Sequence, residues 1–266
     1  MEALGLQKTI YNNGNGKIFY WIRRGEPCFV FIHGLLDSSS GFRKIIQNLP
    51  KEFGVLSIDL PGFARSPFPL EKIYYDLPVM AKTVADFLET IPEKKLVLVG
   101  HSMGGLVVQH IVAKYPSSKF RKIVLISSSS FPHPERDEMK SLLFPNTLKK
   151  IDILLGELYF QKPPELPIWV KFLLLQNWNS KPYRFLTENT LAHEEEVFFG
   201  NQSKKIKLPT LLLLGDFDRI VPKSLVQKLK RILKKSKLIL IPNAKHAVHL
   251  ERAEEVSKEI LKFVQK

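Results

Sequence analysis

Five stretches of the chain are apolar without a break, Cys28–Ile32, Leu96–Val99, Ile123–Ile126, Leu211–Leu214 and Leu238–Ile241, and a sixth, Val55–Ile58, is interrupted only by Ser57. Each runs into Gly, Pro, Asp or Ser within two residues. A strand with one wet face alternates apolar and polar residues, whereas a strand covered on both faces does not. Runs this short and continuous predict strands buried on both sides, the condition of a largely parallel sheet. The intervening segments Phe42–Leu49, Leu77–Thr90, Gly104–Lys114, Lys223–Leu233 and Ala253–Val264 space their apolar residues three and four apart, as helices do. Strands alternating with helices specify an α/β architecture with right-handed crossovers.

Two departures from this rhythm carry information. Ahead of it, Lys8–Tyr11 and Lys17–Ile22 flank Asn12-Asn13-Gly14-Asn15-Gly16, which predicts an antiparallel hairpin at the sheet edge. Between Phe131 and Lys205 no buried-strand run occurs, while prolines (Pro132, Pro134, Pro145, Pro163, Pro164, Pro167, Pro182) and aromatics are frequent. This interval reads as a helical insertion, since the sheet pattern resumes at Lys207-Leu208-Pro209-Thr210. The expected organisation is one discontinuous core, residues 1–130 and 206–266, with a cap at 131–205.

The stretch Leu96-Val97-Leu98-Val99-Gly100-His101-Ser102-Met103-Gly104-Gly105 holds Gly-x-Ser-x-Gly between an apolar strand and a helix. A serine on so tight a turn has a strained backbone, and flanking glycines let strand and helix approach closely. The turn exposes the hydroxyl at the carboxyl end of the sheet and at a helix N-terminus, where free N–H groups favour developing negative charge. Ser102 is therefore the candidate nucleophile.

The chain resembles the α/β-hydrolase superfamily, specifically its serine hydrolases with a helical cap. The resemblance rests on Gly100-His101-Ser102-Met103-Gly104-Gly105, Phe31-Ile32-His33-Gly34, Asp59-Leu60-Pro61-Gly62-Phe63-Ala64-Arg65-Ser66, Gly215-Asp216-Phe217-Asp218-Arg219-Ile220-Val221-Pro222 and His246-Ala247-Val248-His249-Leu250-Glu251. It covers nearly the whole chain except the cap. The fold it implies is a mostly parallel central sheet flanked by helices, with the cap inserted after strand 6.

A serine hydroxyl needs a general base, and the base needs an orienting acid. Two histidines, His246 and His249, follow the last strand, and two carboxylates, Asp216 and Asp218, follow the one before it. The resemblance selects His246 as base and Asp218 as acid, with Asp216 a turn residue and His249 a packing or capping residue. Some members of the superfamily place the acid after the preceding strand, but that stretch here is Ser127-Ser128-Ser129-Ser130 and offers no carboxylate. An acyl-transfer site also needs oxyanion donors. The Met103 N–H, next to the nucleophile, is one, and the resemblance implies the Leu35 N–H as the other. His33 and Asp59 read as loop architecture.

Ester hydrolysis through an acyl-enzyme is the expected activity, on small to medium-chain acyl or monoacylglycerol-like substrates. Carbon–carbon bond hydrolysis and thioester cleavage use the same three groups, and a non-catalytic ligand-binding homologue is the alternative of another class. Ser at position 102 argues against dehalogenases and epoxide hydrolases, which resemble this chain but carry Asp there. No metal or cofactor is expected, because histidines 33, 101, 110, 133, 193, 246 and 249 show no zinc-like spacing with carboxylates.

The cap is rich in Tyr159, Phe160, Trp169, Phe172, Leu173, Leu174, Leu175, Trp178, Tyr183, Phe185, Phe198 and Phe199. These build the cap's own core and its seat on the sheet; an acyl-chain tunnel or lipid-facing lid is the functional reading. The formal net charge is +14, dispersed along the chain and without a nucleic-acid motif, so no nucleic-acid partner is expected. The lysine-rich run from Lys223 to Lys237 reads as a solvated helix face, with weak contact to an anionic membrane as the alternative. The single Cys28 lies in a buried-strand run. With no basic-then-apolar leader in residues 1–8, the expected location is cytoplasmic.

Overall fold

The computed structural model describes residues 1–161 and 165–265; Pro163 and Pro164 of the proline-rich insertion lie outside the described residues. Eight strands form one sheet: β1 (Gln7–Asn12), β2 (Lys17–Arg23), β3 (Cys28–Ile32), β4 (Gly54–Ile58), β5 (Leu96–His101), β6 (Phe120–Ile126), β7 (Thr210–Gly215) and β8 (Ser236–Ile241). Their order across the sheet is β1-β2-β4-β3-β5-β6-β7-β8. Strands β3 to β8 pair in parallel, while β2 is antiparallel to both β1 and β4. All six apolar runs of the sequence, Val55–Ile58 with its Ser57 included, are strands, and the Asn/Gly-rich turn joins an edge hairpin.

The sheet's period of two divides its side chains between two cores. On one face Val30, Ile32, Leu56, Ile58, Leu98 and Leu212 meet α2 (Leu77–Thr90), α3 (Met103–Lys114) and α9 (Lys223–Ile232). On the other Phe29, Phe31, Val55, Val97, Val99 and Leu213 meet α1 (Arg43–Gln47) and α11 (Ala253–Gln265). Neither face of β3 reaches water: all five of its residues are buried. That explains why its sequence is apolar without alternation. The phenylalanines Phe29 and Phe31 lie on one face and Val30 and Ile32 on the other, so one run feeds both cores.

Between β6 and β7 lie the helices α4 (Arg136–Leu143), α5 (Leu148–Leu158), α6 (Ile168–Trp178), α7 (Lys181–Ala192) and α8 (Glu194–Val197). They bury Met139, Leu154 and Trp178 against Leu36, Ile220 and Val221 of the sheet's loops. Tyr183 of α7 packs on Phe63, ring centroids 5.0 Å apart, and Phe185 on Tyr75 at 5.8 Å. The large apolar side chains of this interval therefore divide: Trp178, Tyr183 and Phe199 are buried, while Ile168, Trp169, Phe172 and Leu173 are more than half exposed on α6. A short helix, α10 (Val248–Glu251), follows β8 and precedes α11.

Chain order reverses direction across the sheet between β3 and β5, since β4 lies to one side of them and β6 to the other. Loops leaving such a pair of strands diverge and open a crevice at their carboxyl ends, the usual ligand position in open α/β sheets.

Candidate active site

At that crevice β5 turns sharply into α3 through Ser102, whose backbone sits at φ 51 and ψ −119. A non-glycine residue in this region is strained, at a cost of about 1–3 kcal/mol. The surroundings hold it there: the Ser102 N–H donates to the Ile126 carbonyl at 2.9 Å, and Gly105 N–H donates to the Ser102 carbonyl at 2.9 Å. Close packing explains the glycines. A Cβ on Gly100 would run into the Gly104 backbone, and one on Gly104 into the Ile32 carbonyl of β3. Neither obstacle is a movable side chain, so the helix can lie this near the sheet only without them.

From β8 the chain delivers His246 to the same point. Its Nε2 is 2.9 Å from Ser102 Oγ, and its Nδ1 is 3.0 Å from Asp218 Oδ2 and 3.2 Å from Oδ1. Asp218 stands in the loop after β7, its side chain fully buried, and its Oδ1 also accepts the Val221 N–H at 2.9 Å. An ionised carboxylate only accepts, so Nδ1 carries the ring proton and Nε2 is free to accept from the serine. Three loops with no sequence proximity thus assemble a directed hydrogen-bond chain.

The other candidates are placed elsewhere. Asp216 is exposed and makes a long 3.4 Å contact from the Ala244 N–H. His249 instead packs against His101, ring centroids 4.0 Å apart and planes tilted by 42°, with Nε2 3.6 Å from Asp37. His33 spends both ring nitrogens on backbone, one accepting the Leu60 N–H at 2.9 Å and the other 2.8 Å from the Gly34 carbonyl. Asp59 holds the Ser39 N–H at 2.6 Å and the Arg65 guanidinium at 2.9 Å. Burial would raise the Asp59 carboxyl, but these partners hold it below the ordinary value.

The loop after β3 lies flush against the Ser102 turn. A Cβ on Gly34 would sit 3.1 Å from the Ser102 Cβ and 2.9 Å from His101 Nδ1. Only glycine lets the loop approach so closely, and Leu35 follows directly. Met103 is the first residue of α3, and a first-turn N–H has no intrahelical partner. Among the described residues the Leu35 and Met103 N–H groups donate to no backbone carbonyl.

Sequence reasoning did not foresee one grouping. Asp37, His101 and His249 converge beneath the turn. Burial first, then the neighbouring rings of His249 and His246, hold His101 well below the ordinary histidine value, so it is neutral. Burial would raise the Asp37 carboxyl, but His249 and the Ser38 N–H hold it below its usual range. The only sequence hint was the presence of a second histidine three residues after His246. The segment between β6 and β7 is bonded to the chain after β8: the Ala247 N–H donates to the Leu158 carbonyl at 2.8 Å, and the Phe160 N–H to Glu251 at 2.6 Å.

With this geometry established, comparison with known proteins places the chain. The family model of the alpha/beta hydrolase fold matches residues 27–158. An AB hydrolase superfamily protein, YisY, of Bacillus subtilis is 29% identical, covering 91% of this chain and 92% of its own length. A bifunctional esterase/perhydrolase of Acinetobacter calcoaceticus is 28% identical over 93% of this chain and 95% of its own. Among solved structures, a membrane phospholipase A described as a bacterial virulence factor superposes with a TM-score of 0.86. It is 26% identical, covering 99% of this chain and 87% of that one. No helix among the described residues is long and apolar enough to cross a membrane.

Proposed function

The chain belongs to the α/β-hydrolase superfamily and is a hydrolase of that fold, and on that premise we propose that it cleaves carboxylic esters through Ser102, His246 and Asp218. The observation that carries the reading is the hydrogen-bond chain from Ser102 Oγ through His246 to the buried Asp218 carboxylate. Ser102 Oγ attacks the ester carbonyl while His246 Nε2 takes its proton. Asp218 keeps the imidazole in the required tautomer and stabilises the imidazolium that forms. The Met103 and Leu35 N–H groups receive the oxyanion, a contribution of roughly 3–4 kcal/mol per donor in comparable sites. His246 then returns the proton to the leaving alkoxide, and water repeats the sequence on the acyl-enzyme.

Apolar side chains where the cap meets the strand-end loops, among them Leu36, Leu174, Ile220 and Val221, support an acyl-binding role for the cap at residues 131–205. The substrate is accordingly a small-molecule ester with a small to medium acyl chain. The test is labelling by a fluorophosphonate followed by peptide mass spectrometry, with turnover of p-nitrophenyl butyrate in parallel. The adduct should fall on Ser102, and Ser102→Ala should keep its fold and lose turnover. An adduct elsewhere, with an active Ala variant, would overturn the assignment.

A further inference from the structure

Asp37, His101 and His249 arrive from three separate places in the chain: the loop after β3, the last residue of β5 and the first turn of α10. One candidate ligand atom from each lies within 4.8 Å of the others. His101 and His249 are 6% and 1% exposed. Their hydrogen bonding is incomplete in an informative way. His101 Nε2 lies 3.1 Å from the His246 carbonyl, which can only accept, so Nε2 carries the ring proton. His101 Nδ1 is then a bare lone pair, buried and without a partner among the described residues. Both nitrogens of His249 are likewise buried and unpartnered among the described residues. Buried polar atoms are almost always satisfied, and three orphans in one cluster need an explanation. Asp37 gives one oxygen to the Ser38 N–H at 2.7 Å and turns the other toward His249, 3.6 Å away.

We propose that Asp37, His101 and His249 form a binding site for a divalent transition-metal ion of the Zn²⁺ type. The ligands are Asp37 Oδ2, His101 Nδ1 and one nitrogen of His249. Two imidazoles and a carboxylate are a common zinc donor set, with water completing the tetrahedron. The second layer is already built. A metal-bound histidine usually donates its other N–H to a carbonyl or carboxylate, and His101 makes that bond to the His246 backbone. Donors on one tetrahedral zinc at about 2.1 Å sit roughly 3.4 Å apart. Asp37 Oδ2 and His249 Nε2, 3.6 Å apart, already stand near that spacing. The Asp37 side chain, 25% exposed, provides both the freedom to move and the path of entry. An ion here would tie the loop carrying Leu35 to the turn carrying Ser102 and to the start of α10, stiffening the crevice from below. The proposal does not depend on which bond the enzyme cleaves.

The test uses the full chain stripped with EDTA and titrated with Co²⁺ near neutral pH. One equivalent should bind with the intense visible bands of tetrahedral Co²⁺, Zn²⁺ should displace it, and Zn²⁺ should raise the melting temperature. His249→Gln and Asp37→Asn should each weaken binding by at least about 100-fold, because loss of even an outer partner costs 10–100-fold. Asp37→Asn decides alone if His249→Gln does not fold, since Asp37 is partly exposed. His246→Ala should leave the affinity unchanged, because only its backbone carbonyl is used. Absence of the bands, undiminished binding in Asp37→Asn, or binding lost only in His246→Ala would each overturn the proposal.

Discussion

Replacing Asp218 with Asn changes the hydrogen-bonding sense of one atom at the centre of the site and little else. The carboxylate is fully buried and has two fixed partners, the Val221 N–H at 2.9 Å and His246 Nδ1 at 3.0 Å. The Val221 N–H can only donate, so the Asn carbonyl oxygen stays on that side, where Oδ1 now sits. Its NH₂ then faces His246 Nδ1, and a donor there demands a lone pair on Nδ1. The imidazole shifts its proton to Nε2, the atom 2.9 Å from Ser102 Oγ. A protonated Nε2 cannot take the serine's proton, so the base is lost although every heavy atom stays in place. In a well-studied triad the same exchange lowers kcat by about 10⁴, which is roughly 5 kcal/mol of transition-state stabilisation. The assay is kcat on p-nitrophenyl butyrate, with the melting temperature measured to show that the fold persists. Asp216→Asn is the control: that side chain is exposed and makes only a 3.4 Å contact, so the change should cost less than tenfold. A larger loss in Asp216→Asn than in Asp218→Asn would refute the reasoning.

Two further outcomes follow from burial and from the cap. His110 of α3 is fully buried, its Nε2 3.1 Å from the Val197 carbonyl, and burial lowers its pKa from 6.5 to about 4. The folded protein thus holds it neutral where the unfolded chain would protonate it. Its contribution to stability is complete above pH 6.5 and lost as pH falls toward 4. At about 1.4 kcal/mol per pKa unit this amounts to roughly 3 kcal/mol, read as a fall in urea midpoint that His110→Gln should flatten. Equal pH slopes for the two proteins would count against it. For the cap, kcat/KM over p-nitrophenyl esters from acetate to palmitate should rise by a few-fold per carbon, about 0.8 kcal/mol per buried methylene. The rise should end at roughly four to ten carbons as the pocket fills, and a flat profile or a maximum at acetate would mean that the cap aromatics serve only to pack.

Much of the core was legible from local pattern because burial on both faces leaves a local mark. Phe29 and Val30 had to be apolar for different reasons, one for each core, and that requirement produced the unbroken run at β3. The tight turn at Ser102 was legible for a similar reason. Gly100 and Gly104 answer to backbone atoms a few residues or one strand away, so the constraint appears as a short motif. The partners of Ser102 are another matter. His246 and His249 stand three residues apart after the same strand, and nothing in their own spacing says which ring will meet Oγ and which will pack on the far side against Asp37. That depends on where α10 begins and how the loops after β5, β7 and β8 lean together. The same holds for the cap, whose even scatter of aromatics gave no hint that Trp178 turns inward and Trp169 outward. Asp37, His101 and His249 show it most clearly. Local periodicity encodes which face of an element is buried, whereas a cluster drawn from a loop, a strand end and a short helix exists only once strand order has brought those distant segments together.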